Sequence, residues 1–152
     1  MTAGKLLGIA TRTRSRASMN QFDSIDITRS GGCVGDFRGR PGERQVTVLA
    51  REDWETACSV LGRQLHWTAR RANLLIEGID LAETTGARLQ LNDVVLEVTG
   101  ETDPCGRMEE IAPGLFAALQ ADWRGGVCCR VIQGGSVRVG DQVTSMVRKE
   151  LN

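Results

Sequence analysis

The sequence predicts a mainly β domain, a small and mostly antiparallel barrel decorated by a few helices. Three observations carry this. Six to eight short segments alternate polar and apolar residues or are rich in β-branched ones, as half-buried strands are. They fall in neighbouring pairs separated by tight turn signals, which suits hairpins. No regular strand–helix–strand alternation runs through the chain, and this disfavours a doubly wound parallel sheet. A chain of 152 residues fits one domain that buries a real core without disulfide staples. Residues 1–152 therefore read as a single domain, with a less regular part over 1–43 and the barrel core over 44–148.

Taken in order, residues 11–18 are rich in Arg, Ser and Thr, and residues 30–42 are rich in glycine. Both read as loops or a mobile flap. Between them, residues 23–28 alternate as an exposed strand would. Gln45-Val46-Thr47-Val48-Leu49 alternates and is β-branched, which predicts a strand. Trp54, Ala57, Cys58 and Leu61 then share one face at helical spacing. Glu52, Asp53 and Glu55 suit the positive N-terminal end of that helix, and Gly62 suits its C-terminal stop. Residues 73–81 read as an apolar turn around Gly78. Residues 87–91 and 93–99 read as strands joined tightly at Asn92-Asp93. Residues 108–121 are helical in pattern but interrupted, with Pro113 in the first turn of the second piece. Strands follow at 127–133, 136–139 and 143–148.

Composition excludes several classes. The longest apolar runs are a few residues, too short to span a bilayer. The stretch from Leu6 to Ala10 is shorter than a signal-peptide core of roughly 7–15 residues. A cytoplasmic protein without membrane contact is expected. The net charge of 0 offers no bulk attraction to nucleic acid. Five cysteines and no secretion signal argue against a disulfide framework. Zinc is disfavoured, because there is no CxxC pair and His66 is the single histidine. Lysine occurs only at positions 5 and 149, so the basic residues are almost all arginine. Arginine suits phosphates and other oxyanions, although a genomic bias would give the same skew.

Few residues stand out chemically. Cys105 follows Pro104 in a loop between a strand and a helix, where a thiol gains thiolate character, and Arg107 would add to it. Such a thiolate can attack, carry a persulfide or ligate a soft metal; a buried structural cysteine is the plain alternative. Arg70-Arg71-Ala72-Asn73 offers two guanidiniums and an amide to a phosphate or a polar heterocycle, or forms a solvated basic loop. Cys128 and Cys129 lie mid-strand, so their side chains point to opposite faces and cannot share one metal. His66 has no evident carboxylate partner. The glycines of residues 31–42 match neither GxxxxGK[ST] nor GxGxxG.

At these residues the sequence resembles the MOSC family, the domain found at the C-terminus of molybdenum cofactor sulfurases. The resemblance covers Gly35-Asp36, Arg44-Gln45-Val46-Thr47, Arg71-Ala72-Asn73-Leu74 with Gly78, and Asn92-Asp93-Val94-Val95-Leu96-Glu97-Val98. It ends on Pro104-Cys105 and Gly134-Gly135-Ser136-Val137-Arg138-Val139-Gly140-Asp141. It implies a β-barrel that binds a pyranopterin dithiolene molybdenum cofactor, with Cys105 as the metal ligand and catalytic residue. Arg71 and Asn73 would hold the phosphate or pterin, with Arg70, Thr102, Asp103 and Arg107 beside them. Relatives that reduce N-hydroxylated bases often carry His-Gly-Gly after the Gly-Asp pair. Here Arg38-Gly39-Arg40-Pro41-Gly42 stands there, without a histidine.

The resemblance thus implies a small oxidoreductase acting on N-hydroxylated substrates, fed by a separate flavin or iron–sulfur electron-transfer partner. A second reading is a carrier in which Cys105 holds a persulfide or a transient cofactor for cofactor-biosynthesis proteins. A third is a non-catalytic barrel that binds an anion or a pterin. No pyridoxal phosphate is expected within the chain.

Overall fold

The computed structural model of the chain describes residues 2–103 and 106–147. Its strands are β1 (Thr2–Thr11), β2 (Asn20–Phe22), β3 (Ser24–Thr28), β4 (Gly32–Cys33), β5 (Val46–Ala50), β6 (Leu74–Glu77), β7 (Arg88–Leu91), β8 (Val94–Glu101), β9 (Val127–Gln133), β10 (Gly135–Arg138) and β11 (Gln142–Met146). Its helices are α1 (Arg51–Leu61), α2 (Gly106–Ile111) and α3 (Leu115–Gln120). Seven strands close into a barrel in the order β11, β7, β8, β9, β5, β6, β1, with β1 pairing back to β11. Every pairing is antiparallel except β5–β6, and α1 supplies the long crossover which that parallel pair needs. The mainly β, mostly antiparallel barrel predicted from the sequence is the one observed. Strands β10, β3 and β4 form a small sheet beside it, and β2 extends the far end of β1.

Side-chain alternation decides what each strand buries. Val46, Val48 and Ala50 of β5 and Leu74 and Ile76 of β6 fill the barrel interior. Leu49 and Leu75 point outward instead, into a second core with Trp54, Ala57, Met108, Leu115 and Leu119 of the helices. Because β6 is covered on both faces, Leu74-Leu75-Ile76 shows no alternation, and the first half of the segment read as a turn is a strand that ends at Glu77, just before the left-handed Gly78. The N-terminal residues hold a second correction. Thr2–Thr11, placed by sequence in the less regular part, is the longest strand and closes the barrel. A register shift between Leu6 and Gly8 breaks its period of two, which hides the strand from a pattern search.

Helix α1 ends as its sequence predicts. Gly62 takes a left-handed conformation, φ 69°, and its N–H returns to the carbonyls of Cys58 and Ser59. The second helical region departs from expectation. Gly114, at φ 91°, caps α3, so Pro113 lies before the helix rather than in its first turn. The Glu109 carboxylate of α2 accepts the Gly114 N–H at 2.9 Å and the Phe116 N–H at 3.3 Å, joining the two pieces.

At the other end of α1, Asp53 is half-buried, and desolvation, then Asp80 and Glu52, push its carboxyl up to about 6. The helix N-terminus favours its charge by only about 0.3–1 kcal/mol, which does not offset those effects. The folded chain therefore holds a proton that the unfolded chain releases above about pH 4. Stability falls as pH rises from there through about 6. Discounted for half-exposure, Asp53→Asn is expected to stabilise by about 1 kcal/mol at pH 7. The gain should vanish below about pH 4, and urea midpoints measured across that window test both halves of the statement.

Candidate functional site

One rim of the barrel, where β1, β5 and β6 meet the helical layer, carries a cleft of about 210 Å³. It is lined by Arg12, Ser15, Arg16, Arg38, Arg44, Arg70, Arg71, Arg107 and Met108. A smaller hollow adjoins it over Thr47 and Asn73, again against Arg12, Arg38, Arg44 and Arg71. Seven arginines from five separate stretches of sequence converge there.

Four of the guanidiniums have a local reason for their place. The tight helical turn Trp67–Arg70 begins at His66, whose Nδ1 accepts the Thr68 N–H at 3.3 Å and contacts the Thr68 hydroxyl at 2.8 Å. His66 thus serves as a cap. The turn stops at Arg71, which is left-handed at φ 67°, a conformation a non-glycine residue adopts at a cost of roughly 1 kcal/mol or more. From it the Arg71 side chain reaches the Ala17 carbonyl and ties the loop after β1 to the cleft. Arg70 is buried, with Nε donating to the Gly125 carbonyl at 2.9 Å and Nη2 to the Thr102 carbonyl at 3.4 Å.

The glycine-rich loop brings in Arg38. The Asp36 carboxylate accepts the backbone N–H of Arg12 and of Arg38, each at 3.1 Å. The two guanidiniums then lie over the Phe37 ring, at 5.2 and 5.3 Å from its centroid. Gln45 fastens the loop from below. Its amide donates to the carbonyls of Arg29 and Gly39 and accepts the Val131 N–H. A side chain at Gly39 would meet the Gly31 carbonyl oxygen at 1.7 Å, so this close approach requires glycine. The crowding registers electrostatically. Burial, then Arg71, Arg38 and Arg44, lower the Arg12 guanidinium from its ordinary value, with only Asp36 opposing.

The residues singled out by sequence divide among different tasks. Arg70, Arg71 and Arg107 all line the cleft. Asn73 forms part of the adjoining hollow, yet its amide also braces three strands. Oδ1 accepts from the Thr47 N–H at 3.0 Å and from the Thr47 hydroxyl at 3.3 Å, and Nδ2 donates to the Ala10 carbonyl at 3.2 Å. Thr102 is buried, and its hydroxyl lies 3.3 Å from the Cys128 sulfur. Asp103 is exposed, and its charge, after burial, helps to raise the neighbouring Glu101 carboxyl. Pro104 and Cys105 lie outside the described residues. Arg12, Arg16, Arg38 and Arg44 escaped the sequence search. The arginine-rich composition of residues 11–18 was the available signal for Arg12 and Arg16.

The other cysteines serve the core. Cys33, Cys58, Cys128 and Cys129 are all buried, and desolvation raises the Cys33 and Cys129 thiols far above the ordinary range. Cys129 faces the barrel interior while Cys128 faces Thr102, the opposite orientations expected of neighbours in a strand. Among the described residues there is no group of three metal-ligating side chains. Nor, among the described residues, is any helix long and apolar enough to cross a membrane.

The fold has close structural counterparts. The YuaD protein from Bacillus subtilis superposes with a TM-score of 0.83 at 22% identity, covering 97% of this chain and 99% of that one. YiiM from Escherichia coli gives 0.72 at 16% identity, covering 95% and 70%. YiiM from Geobacillus stearothermophilus gives 0.69 at 16% identity, covering 95% and 74%. No curated protein matches the sequence. The MOSC domain family model matches residues 26–144, from β3 through most of β11 and across every arginine of the cleft except Arg12 and Arg16. The chain belongs to the MOSC domain family.

Proposed function

We propose that this MOSC protein binds a molybdenum cofactor at the arginine cleft, with Cys105 as the protein ligand to the metal, and reduces N-hydroxylated substrates. The carrying observation is the convergence of seven arginines beside the segment that holds Cys105. Thr102 meets the cleft through its carbonyl bond to Arg70, and Arg107 lines the cleft from the first turn of α2. The sequence puts Cys105 between these two residues. The donor set fits such a group. Guanidiniums answer the phosphate that a pterin cofactor carries, and a thiolate is a soft ligand suited to molybdenum. Among the described residues the buried Arg107 Nε has no hydrogen-bond partner, as is also true of Arg51 Nε and Arg88 Nε away from the cleft, so at Arg107 alone a spare donor faces the site.

When bound, the molybdenum centre supplies two-electron reduction of an N–O bond, with electrons from a separate flavin or iron–sulfur protein. The roles left to the chain are positional. Arg12, Arg38, Arg44 and Arg71 hold the anionic end of the cofactor, Arg70 fixes the Thr102 end of the loop that bears the thiol, and Asp36 and Gln45 hold the glycine-rich loop against the site.

The test is metal and oxidised-pterin content after expression in a cofactor-competent host. The parent chain is expected to carry near-stoichiometric molybdenum, and Cys105→Ser less than about a tenth of it, because oxygen is a poor substitute for a soft thiolate. Equal loading of the two proteins would remove Cys105 from the ligand role. A parent free of metal and pterin, with sulfane sulfur on Cys105, would replace this reading by the carrier one.

A further inference from the structure

Two neighbouring glutamates of α2 are used differently. Glu109 is committed to the backbone, where its carboxylate accepts the Gly114 N–H at 2.9 Å and the Phe116 N–H at 3.3 Å. Glu110 instead turns to the cleft. Its Oε2 lies 3.7 Å from Arg16 Nη2 and 3.7 Å from Arg107 Nη1. The two guanidiniums come from different elements, Arg16 from the loop after β1 and Arg107 from the first turn of α2, and both line the cleft. One carboxylate oxygen therefore sits between them, in the position that an oxygen of a bound oxyanion would take.

The pairing neutralises the arginines without fixing them. Separations of 3.7 Å exceed the hydrogen-bonding range of about 2.7–3.2 Å, so the contacts are ion pairs of loose geometry. The Glu110 side chain is 55% exposed and the Arg16 side chain 67%, so each can turn into water with little desolvation to overcome. An exposed pair of this kind shifts an equilibrium by a factor of about five at most. Arg16 is held at φ 64°, left-handed for a non-glycine residue, and that strain is at least as large as what one such pair returns. Glu110 alone does not account for where Arg16 is placed. At Arg107 the carboxylate engages Nη1, while the buried Nε has no hydrogen-bond partner among the described residues.

We infer that Glu110 is an internal counter-ion, a latch that an anionic ligand displaces to gain Arg16 and Arg107. The latch presupposes the anion site of the proposed function, whatever molecule carries the anion. It lowers the affinity of the cleft, and it excludes anions that cannot outcompete a carboxylate for the two guanidiniums. A carboxylate that oriented the arginines for a ligand would act in the opposite sense, because its removal would loosen them.

The full-length chain is titrated calorimetrically with inorganic phosphate at low ionic strength, where exposed charges are least screened. Glu110→Gln is expected to bind phosphate about fivefold more tightly than the parent. Glu55→Gln makes the same change in net charge on α1, where Glu55 pairs with Arg51 outside the cleft, and should stay within about twofold of the parent. In an Arg16→Gln background, which removes one of the two cations, the effect of Glu110→Gln should shrink to about twofold. Unchanged or weaker phosphate binding by Glu110→Gln overturns the latch, and so does an equal increase in Glu55→Gln, which would make the effect one of net charge. Absence of phosphate binding in both the parent and Glu110→Gln overturns it as well.

Molybdenum and pterin content of the same proteins, expressed in a cofactor-competent host, separates this result from the cofactor reading. Tighter phosphate binding by Glu110→Gln, with no cofactor in either protein, keeps the latch and removes the cofactor. Full cofactor in both proteins, with unchanged phosphate affinity, does the reverse.

Discussion

Arg70→Met is expected to lower the free energy of unfolding by roughly 3–5 kcal/mol, read as an earlier urea midpoint with an unchanged slope. Arg70 is 4% exposed, and its guanidinium joins the Gly125 carbonyl, just before β9, to the Thr102 carbonyl, just after β8. Hydrogen bonds from a charged donor are worth about 1.5–3 kcal/mol each, and their loss strands two buried acceptors. Methionine keeps most of the stem's volume, so the effect is chiefly polar rather than a cavity. Arg70→Lys retains the charge but not the fork that spans two carbonyls, and should recover less than half of the loss. A midpoint shift below about 1 kcal/mol, with anion affinity lost, would make Arg70 a ligand-binding residue rather than a brace.

The contrast between those roles shows how far sequence reached. Arg70, Arg71 and Asn73 were identifiable by residue type, because guanidiniums and an amide before an apolar segment suit an anion. Their division of labour was not, since it depends on what lies across the fold: Gly125 for Arg70, Ala17 for Arg71, Thr47 and Ala10 for Asn73. Arg12, Arg38 and Arg44 belong to separate stretches that read individually as loops, and only closure of the barrel makes them neighbours. Local order was legible where one period dominates. The spacing of Trp54, Ala57, Cys58 and Leu61 with Gly62 behind it marked α1, and alternation marked β7 and β8. It failed at β6, buried on both faces, and at β1, where a register shift breaks the pattern.

Asn73→Asp changes one atom group at the point where stability and charge meet, and is expected to damage both. The carboxylate still accepts from the Thr47 N–H and hydroxyl, but it has no proton to give the Ala10 carbonyl, now 3.2 Å from an amide donor. Two oxygens would face each other in a site where Asn73 is 5% exposed. Loss of that bond with an acceptor left unpaired costs about 2 kcal/mol. The new charge also cancels part of the field of Arg12, Arg38, Arg44 and Arg71, so affinity for inorganic phosphate should fall about tenfold. The pH dependence separates the two effects. Protonation of the introduced acid restores a donor toward Ala10, so a folded-state pKa raised by burial makes the stability deficit smallest at acid pH. The deficit then grows as pH rises through that pKa. A deficit that instead shrinks as pH rises would mean that attraction from the four guanidiniums outweighs the lost donor, and that the field of the cleft governs this position more than the strand brace does.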